Sequence, residues 1–340
     1  MAGLAEQPWS VTGAAGGPLS FWADERGSLE RGLDRERMAD VLRSGRGQLW
    51  VDIDSRREDE WLLLTDLFGF HPLAVEDTRS PNCRVKIEEY DGYLFVVVRG
   101  LRFATWTPDP YDIQTSNLYL FLGPNYVVTV HGEESRAVEV VVERLEAGPE
   151  LLARGAEHLA YVVIDTLVDF YFPFLDEIDG FVDELEDAIF HDGGGAMERI
   201  FELKRLLLVL RRQLAPMREV MATLANRPSP HLGPETQVYF RDVYDHVVRQ
   251  VESLETYRDL LSGAMEMHLS MLSNRLNEVT KVLSAIATVI LPATLIASIY
   301  GMNFRVLPLA AHPYGFWIML GIMVVVGSGL VLLMRWKRWL

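Results

Sequence analysis

Cysteine is almost missing from this chain of 340 residues: Cys83 is the only one. An intrachain disulfide and a thiolate-rich zinc site are both excluded. A single thiol suits a reducing compartment. No two of the eight histidines stand three or four residues apart, so no helix presents a paired-imidazole metal site. The triple glycine Gly193-Gly194-Gly195 is not followed by Gly-Lys-Ser/Thr, so it is no phosphate loop. No nucleophile–base pair is visible, and the chain reads as something other than an enzyme, with no organic cofactor. The opening stretch MAGLAEQPWS lacks the continuous apolar core of a signal peptide.

Acidic residues are missing from one end only. From Val282 to Leu340 there is no Asp or Glu, and the only basic residues are Arg305, Arg335, Lys337 and Arg338. That segment carries +4. Residues 1–281, with 28 basic and 48 acidic side chains, carry −20 of a total of −16. So acidic a part repels nucleic-acid phosphates, which excludes that partner, and suits metal cations.

What is present divides by pattern. Residues 1–20, rich in Gly, Ala and Pro, read as a mobile N-terminal segment. A cytoplasmic α/β domain is expected over 21–155. LWVDI (49–53) is a short apolar strand, and EDEWLLLTDLF (58–68) has helical spacing. Residues 85–103 predict a hairpin turning at Asp91-Gly92, and 117–131 a second through Gly123-Pro124-Asn125. Beyond Gly132 the β signal stops. Residues 135–146 predict one helix and 159–190 one long, increasingly acidic helix. The span 156–233 reads as an acidic/basic helical hairpin, closed by NRPSPHLGP (226–234).

From Glu235 to Ser298 the helical pattern is broken only by Gly263 and Pro292. Its length, about 95 Å at 1.5 Å per residue, exceeds what one domain core covers. Such a helix belongs to a bundle between subunits. A stalk helix is therefore expected over 234–300.

Two apolar runs close the chain. Residues 282–300 and 314–334 contain no charged residue. Each is long enough to cross a hydrocarbon core of roughly 30 Å, so the lipid bilayer is a partner. The stalk helix continues into the first span, 301–313 forms an external loop, and 335–340 is a basic tail. Arg275 and Lys281 precede the first span, and Arg335, Lys337 and Arg338 follow the second, whereas the loop carries only Arg305. The basic flanks place both termini in the cytoplasm, with Trp336 and Trp339 as interfacial anchors.

The first span bears a stripe at steps of three and four: Asn277, Thr280, Ser284, Ala287, Leu291, Thr294 and Ser298. All but Leu291 are small or polar. Such a stripe serves either close helix packing or a water-lined pore on the axis of a symmetric bundle. It runs directly into Gly301-Met302-Asn303, which favours the pore. Leu291 is then a constriction that gates by dewetting. Pro292 cannot bond to the Thr288 carbonyl and weakens the helix beside it.

IYGMNF, behind a proline-containing span and ahead of a second span ending in RWKRWL, resembles the CorA family of magnesium channels. HPLAVED (71–77), YFRDVYDH (239–246) and residues 277–304 resemble it too. The resemblance covers about 45–340. It implies a homopentameric funnel in the inner (cytoplasmic) membrane: a cytoplasmic α/β domain, a long α-helical stalk and two C-terminal transmembrane helices. First spans line the pore and second spans form an outer ring. Gly301, Met302 and Asn303 would be the selectivity filter, and Leu283, one position off the stripe, an inner narrowing. The ion would be Mg²⁺, with Co²⁺ beside it, and Mg²⁺ would also be the regulator. For regulation the resemblance sets Asp77 against Glu266 of the next subunit, where members often have Asp, and Glu76, Asp165 and Asp242 in a second site. The loop FRVLPLAAHPYGF departs from the pattern, since members often carry a Glu there. A ZntB-like Zn²⁺ transporter of the same superfamily fits the same motifs. A membrane-anchored coiled-coil scaffold is the reading from another class, and it gives Asn303 no role.

Overall fold

The computed structural model describes residues 17–24, 26–80, 83–104, 107–109, 111–133, 135–190, 195–302, 308–309 and 312–337. The chain forms two compact units, Met1–Ser262 and Gly263–Leu340.

The first unit opens with β1 (Leu19–Ala23), β2 (Leu29–Arg31), α1 (Arg35–Ser44) and β3 (Gln48–Asp54). Three short helices follow: α2 (Glu58–Trp61), α3 (Leu63–Asp66) and α4 (Pro72–Asp77). Then come β4 (Lys86–Tyr90), β5 (Tyr93–Phe103), β6 (Ile113–Leu122) and β7 (Tyr126–His131). The helices α5 (Arg136–Ala147), α6 (Glu150–Ala153), α7 (Ala156–Asp169), α8 (Tyr171–Phe190) and α9 (Ala196–Asn226) complete the series. The 67-residue α10 (Pro234–Tyr300) has residues in both units, and α11 (Gly315–Trp336) lies in the second.

The seven strands form one sheet in the order β2-β1-β3-β7-β6-β5-β4. Only β3 and β7 pair in parallel; the other neighbours are antiparallel. Alternation along the strands builds two apolar faces. Leu49, Val51, Ile53, Phe95, Val97, Tyr119, Phe121, Val128 and Val130 join Met38 and Val41 of α1, Leu64 of α3 and Val75 of α4 in one cluster. The alternate residues Trp50, Val96, Val98, Leu118, Leu120 and Val127 are also buried. They face the side where α7 crosses the sheet. Each large apolar side chain so buried contributes roughly 2–3 kcal/mol.

Both expected hairpins form. Tyr90 pairs with Tyr93 across Asp91-Gly92, and Gly92 takes φ 88°, a left-handed backbone that glycine adopts without strain. The β6–β7 register sets Leu122 against Val127, and Gly123 N donates to the Tyr126 carbonyl.

Three expectations need correction. The segment expected to be mobile, 1–20, ends inside β1: Leu19 and Ser20 are buried and paired with β3. Residues 58–68 form two four-residue helices, α2 and α3, instead of one. The helix expected over 159–190 is broken at Phe170 into α7 and α8. Pro173 supplies the reason: it has no N–H for the Asp169 carbonyl, and its ring crowds that oxygen.

Candidate functional site

From Val282 to Tyr300 the residues of α10 that lose solvent are Ala285, Val289, Pro292, Ala293, Ile296 and Tyr300, one face of the helix. On α11 they are Gly315, Met319, Met323, Gly327, Leu330 and Met334, again one face. The two faces meet. A Cβ on Gly327 would lie 3.7 Å from Val289 Cγ1. The Tyr300 hydroxyl donates to the Pro308 carbonyl at 2.9 Å. Gly315 at the start of α11 is irreplaceable sterically, because a Cβ there would sit 2.2 Å from the Leu309 carbonyl oxygen.

The stripe residues Asn277, Thr280, Ser284, Ala287, Leu291, Thr294 and Ser298 are all exposed. At 100° per residue their mean direction lies roughly 200° from that of the α11-packed face. The stripe is therefore not what holds α10 to α11 within one chain. Leu291 is 66 % exposed and Leu283 61 %. Thr294 Oγ1 donates to the Ile290 carbonyl at 3.0 Å, which satisfies its proton and leaves its lone pairs outward. The helix runs on through Pro292 to Tyr300. Gly301 N donates to the Ala297 carbonyl at 2.9 Å and Met302 N to that of Ile299 at 3.3 Å, so both close the last turn. Gly301 does not take a positive φ; its added Cβ would meet the Ala297 oxygen at 3.3 Å. Asn303 lies outside the described residues.

The carboxylates expected to sense metal are in two places. Asp77 ends α4, and its Oδ2 is 2.8 Å from Lys86 Nζ on β4. Glu266 is an exposed residue of α10 in the second unit. Asp165 and Asp169 of α7 and His246 of α10 present ligand atoms all within 4.8 Å of one another, inside the first unit. His246 Nδ1 is 3.6 Å from Asp169 Oδ1, beyond hydrogen-bond reach, and its Nε2 is 3.8 Å from Asp242 Oδ2. The His246 and Phe172 rings meet edge to face, with centroids 5.5 Å apart. Tyr161 donates to Asp165 Oδ2 at 3.3 Å, while Asp165 Oδ1 and His246 Nδ1 are buried without a hydrogen bond. Burial, and then the charge of Asp169, push the Asp165 carboxyl above its ordinary range. A group of converging oxygens and one imidazole nitrogen, with two atoms orphaned, fits a divalent cation.

Of the second site expected from sequence, Asp165 belongs to this cluster, and Asp242 lies beside it at 3.8 Å from His246 Nε2; neither Asp242 nor exposed Glu76 of α4 is among its converging ligand atoms. Asp169 and His246 were missed. The signal was available: Asp165/Asp169 and Asp242/His246 are both i,i+4 pairs, which share a helix face. A search for paired histidines passes over a histidine paired with a carboxylate.

The profile of a family described as CorA-like Mg²⁺ transporter protein matches residues 46–338. The putative metal ion transporter YfjQ of Bacillus subtilis is 35% identical over 291 residues, 85% of this chain and 89% of that protein. The cobalt/magnesium transport protein CorA of Thermotoga maritima is 35% identical over 294 residues, 86% of this chain and 83% of that one. The zinc transport protein ZntB of Yersinia enterocolitica is 22% identical, covering 88% and 90%. In structure, the chain resembles the complete CorA magnesium transporter from Methanocaldococcus jannaschii, with a TM-score of 0.79 at 22% identity over 95% of this chain and 99% of that one.

Proposed function

The chain belongs to the CorA family of divalent metal transporters, which are channels and not enzymes, and from that membership we propose that it carries Mg²⁺, with Co²⁺ as a second cargo, through a homopentameric pore lined by α10. The observation that carries this reading is the angle between the two faces of α10. One face is spent on α11, and the nearly opposite one is small, polar and free for a fivefold axis.

Mg²⁺ demands near-ideal octahedral geometry and dehydrates reluctantly. A pore that stripped it would need many carboxylates and would then hold it. A ring of neutral Asn303 amides instead accepts hydrogen bonds from the ion's own water shell, so selection falls on the hydrated ion. An interior at −100 mV favours influx of a divalent cation by about 4.6 kcal/mol, at about 2.3 per charge. This inward direction belongs to a pore in the cytoplasmic membrane with both termini inside. Leu291, with Leu283 below it, narrows the pore.

Gating follows from carboxylates that face each other between subunits. Asp77 of one subunit and Glu266 of the next repel, and a bound Mg²⁺ bridges them. The ion stabilises only the arrangement that holds the site, so high internal Mg²⁺ favours the closed funnel. Glu266 is one methylene longer than Asp, which favours contact through water. Asp165, Asp169, Asp242 and His246 form a second site within the subunit. Its imidazole nitrogen suits Co²⁺ or Zn²⁺ better than Mg²⁺, a hard cation that prefers oxygen.

Flux of Mg²⁺, Co²⁺, Ni²⁺ and Zn²⁺ into liposomes containing the purified chain is the test. Mg²⁺ flux inhibited by Co²⁺ is the expected result. Zn²⁺ flux without Mg²⁺ flux would favour the zinc reading, and absence of any flux would favour the scaffold.

A further inference from the structure

Asp77 is not a bare carboxylate waiting for a cation. Lys86 Nζ lies 2.8 Å from Asp77 Oδ2 and 2.8 Å from Glu88 Oε1. Three features hold the ammonium there. Lys86 and Glu88 are two residues apart on β4 and so share a face of the sheet. The register of β4 on β5 sets Lys86 against Val97. The ammonium also sits 5.6 Å over the Phe95 ring, which is fully buried. The pair is only partly covered, with 29 % of the Lys86 side chain and 27 % of Asp77 exposed. Solvent and ions can therefore reach it. Burial pulls the lysine pKa down, but Asp77 and Glu88 more than offset this, so the ammonium stays charged at physiological pH.

We propose that Lys86 is a built-in competitor for the regulatory divalent cation, occupying the Asp77 carboxylate in the metal-free subunit and thereby setting the Mg²⁺ concentration at which the sensor fills. This rests on the reading of Asp77 as a sensor and adds what sets its threshold. A divalent ion that approaches Asp77 meets a positive charge within hydrogen-bond distance of one carboxylate oxygen. It must displace the ammonium or bind against its repulsion, and either lowers the affinity. Glu88 makes displacement feasible: released from Asp77, the ammonium keeps its second carboxylate and is never left unpaired. A site built from Asp77 and an acid of the next subunit alone would fill at lower Mg²⁺ and hold the channel shut when the cell is short of the ion. The lysine moves closure to a higher concentration.

The test measures the Mg²⁺ concentration that gives half-maximal protection of the full-length chain from protease in detergent. Lys86→Met and Lys86→Gln are expected to lower that midpoint by about two- to fivefold, as for loss of a partly exposed ion pair. Lys86→Arg keeps the charge and should stay near the parent. In an Asp77→Asn background, Lys86→Met should add nothing. Thermal unfolding without Mg²⁺ reports whether each variant folds; Gln and Arg, both polar, keep the test alive if the Met variant does not. An unchanged or raised midpoint in the folded neutral variants overturns the proposal, and so does an equal shift in the Asp77→Asn background. If Asp77→Asn alone leaves the midpoint where it was, the sensor reading itself fails and the competitor with it. If Asp77→Asn shifts the midpoint and the lysine variants do not, only the competitor is lost.

Discussion

His131 Nε2 stands 2.9 Å from Asp52 Oδ2, at the parallel seam between β7 and β3. The other ring nitrogen, Nδ1, is 2.6 Å from the Glu133 carbonyl oxygen. Both neighbours are acceptors, so the ring satisfies both only as imidazolium. Asp52 is further fixed by Thr129 Oγ1, which accepts from Trp50 Nε1 at 3.0 Å. Burial alone would lower the His131 pKa, but Asp52 outweighs it and raises the value from 6.5 to about 9. A raised histidine pKa adds stability that is complete below 6.5 and is lost as pH climbs through about 9. The loss is on the order of 3 kcal/mol. The thermal midpoint of the soluble domain should fall by a few degrees between pH 6.5 and pH 10. Asp52→Asn should lower stability at pH 6.5 and flatten that slope; an equally steep slope in the variant would dissociate it from this pair.

Asn303→Ala should stop Mg²⁺ uptake while leaving assembly intact, as read by size-exclusion chromatography and isotope or dye flux. Near-normal flux in a correctly assembled variant would falsify the filter assignment and leave Asn303 as a turn residue.

Leu291→Ser should leave the channel conducting at internal Mg²⁺ that shuts the parent, and Leu283→Ser should act in the same direction. Liposomes loaded with several millimolar Mg²⁺ give the readout. Were Leu291 only a packing residue, its Ala variant would lower thermal stability and gate normally.

Neutralising the proposed sensor pair, Asp77→Asn with Glu266→Gln, should weaken Mg²⁺-dependent protease protection and leave the pore open at high internal Mg²⁺. A double variant that is protected as well as the parent and still closes with Mg²⁺ would show that the sensor lies elsewhere.

Asp165 is half-buried, has one oxygen without a partner and is held above the usual carboxylate range by burial and Asp169. In metal-free protein at pH 7, Asp165→Asn should therefore raise stability, by about 1 kcal/mol. With Co²⁺ present the order should reverse, because the parent gains binding energy that the variant lacks. Calorimetry with Co²⁺ and Mg²⁺ separates the two ions: tighter Co²⁺ binding that weakens on His246→Ala is expected. Equal, His246-independent binding of both would count against nitrogen ligation.

The parts of the site that lie along one helix were legible beforehand. Asn277 through Ser298 form a stripe by their spacing alone, and the structure adds which way that stripe points relative to α11. The metal cluster was only half legible. Asp165 and Asp242 entered as separate acids, and what joins them is the packing of α7 on α10. That packing is fixed in part by the buried bond from Gln250 Nε2 to the Val168 carbonyl at 3.0 Å, across 82 residues. The partnership of Asp77 with Lys86 escaped for a similar reason: a six-residue helix ends where a strand nine residues later happens to place an ammonium.

By itself, the sequence determined the features that chain-local geometry dictates. These are two uncharged runs long enough to cross a bilayer, two hairpins with Asp91-Gly92 and Gly123-Pro124-Asn125 at their turns, one very long helix, and a heptad of small and polar residues ending at Gly301. Each depends on the 3.6-residue turn of a helix, the two-residue period of a strand or the cost of charge in hydrocarbon, and none needs a distant neighbour. Tertiary structure alone decided the rest: the capture of Leu19 and Ser20 into the sheet, the convergence of Asp165, Asp169 and His246, and the ion pairs at Asp52 and Asp77. The reason is that a charge or an imidazole is set by whatever lies within about 4 Å of it. In a folded chain, those atoms come from elements that the sequence keeps far apart.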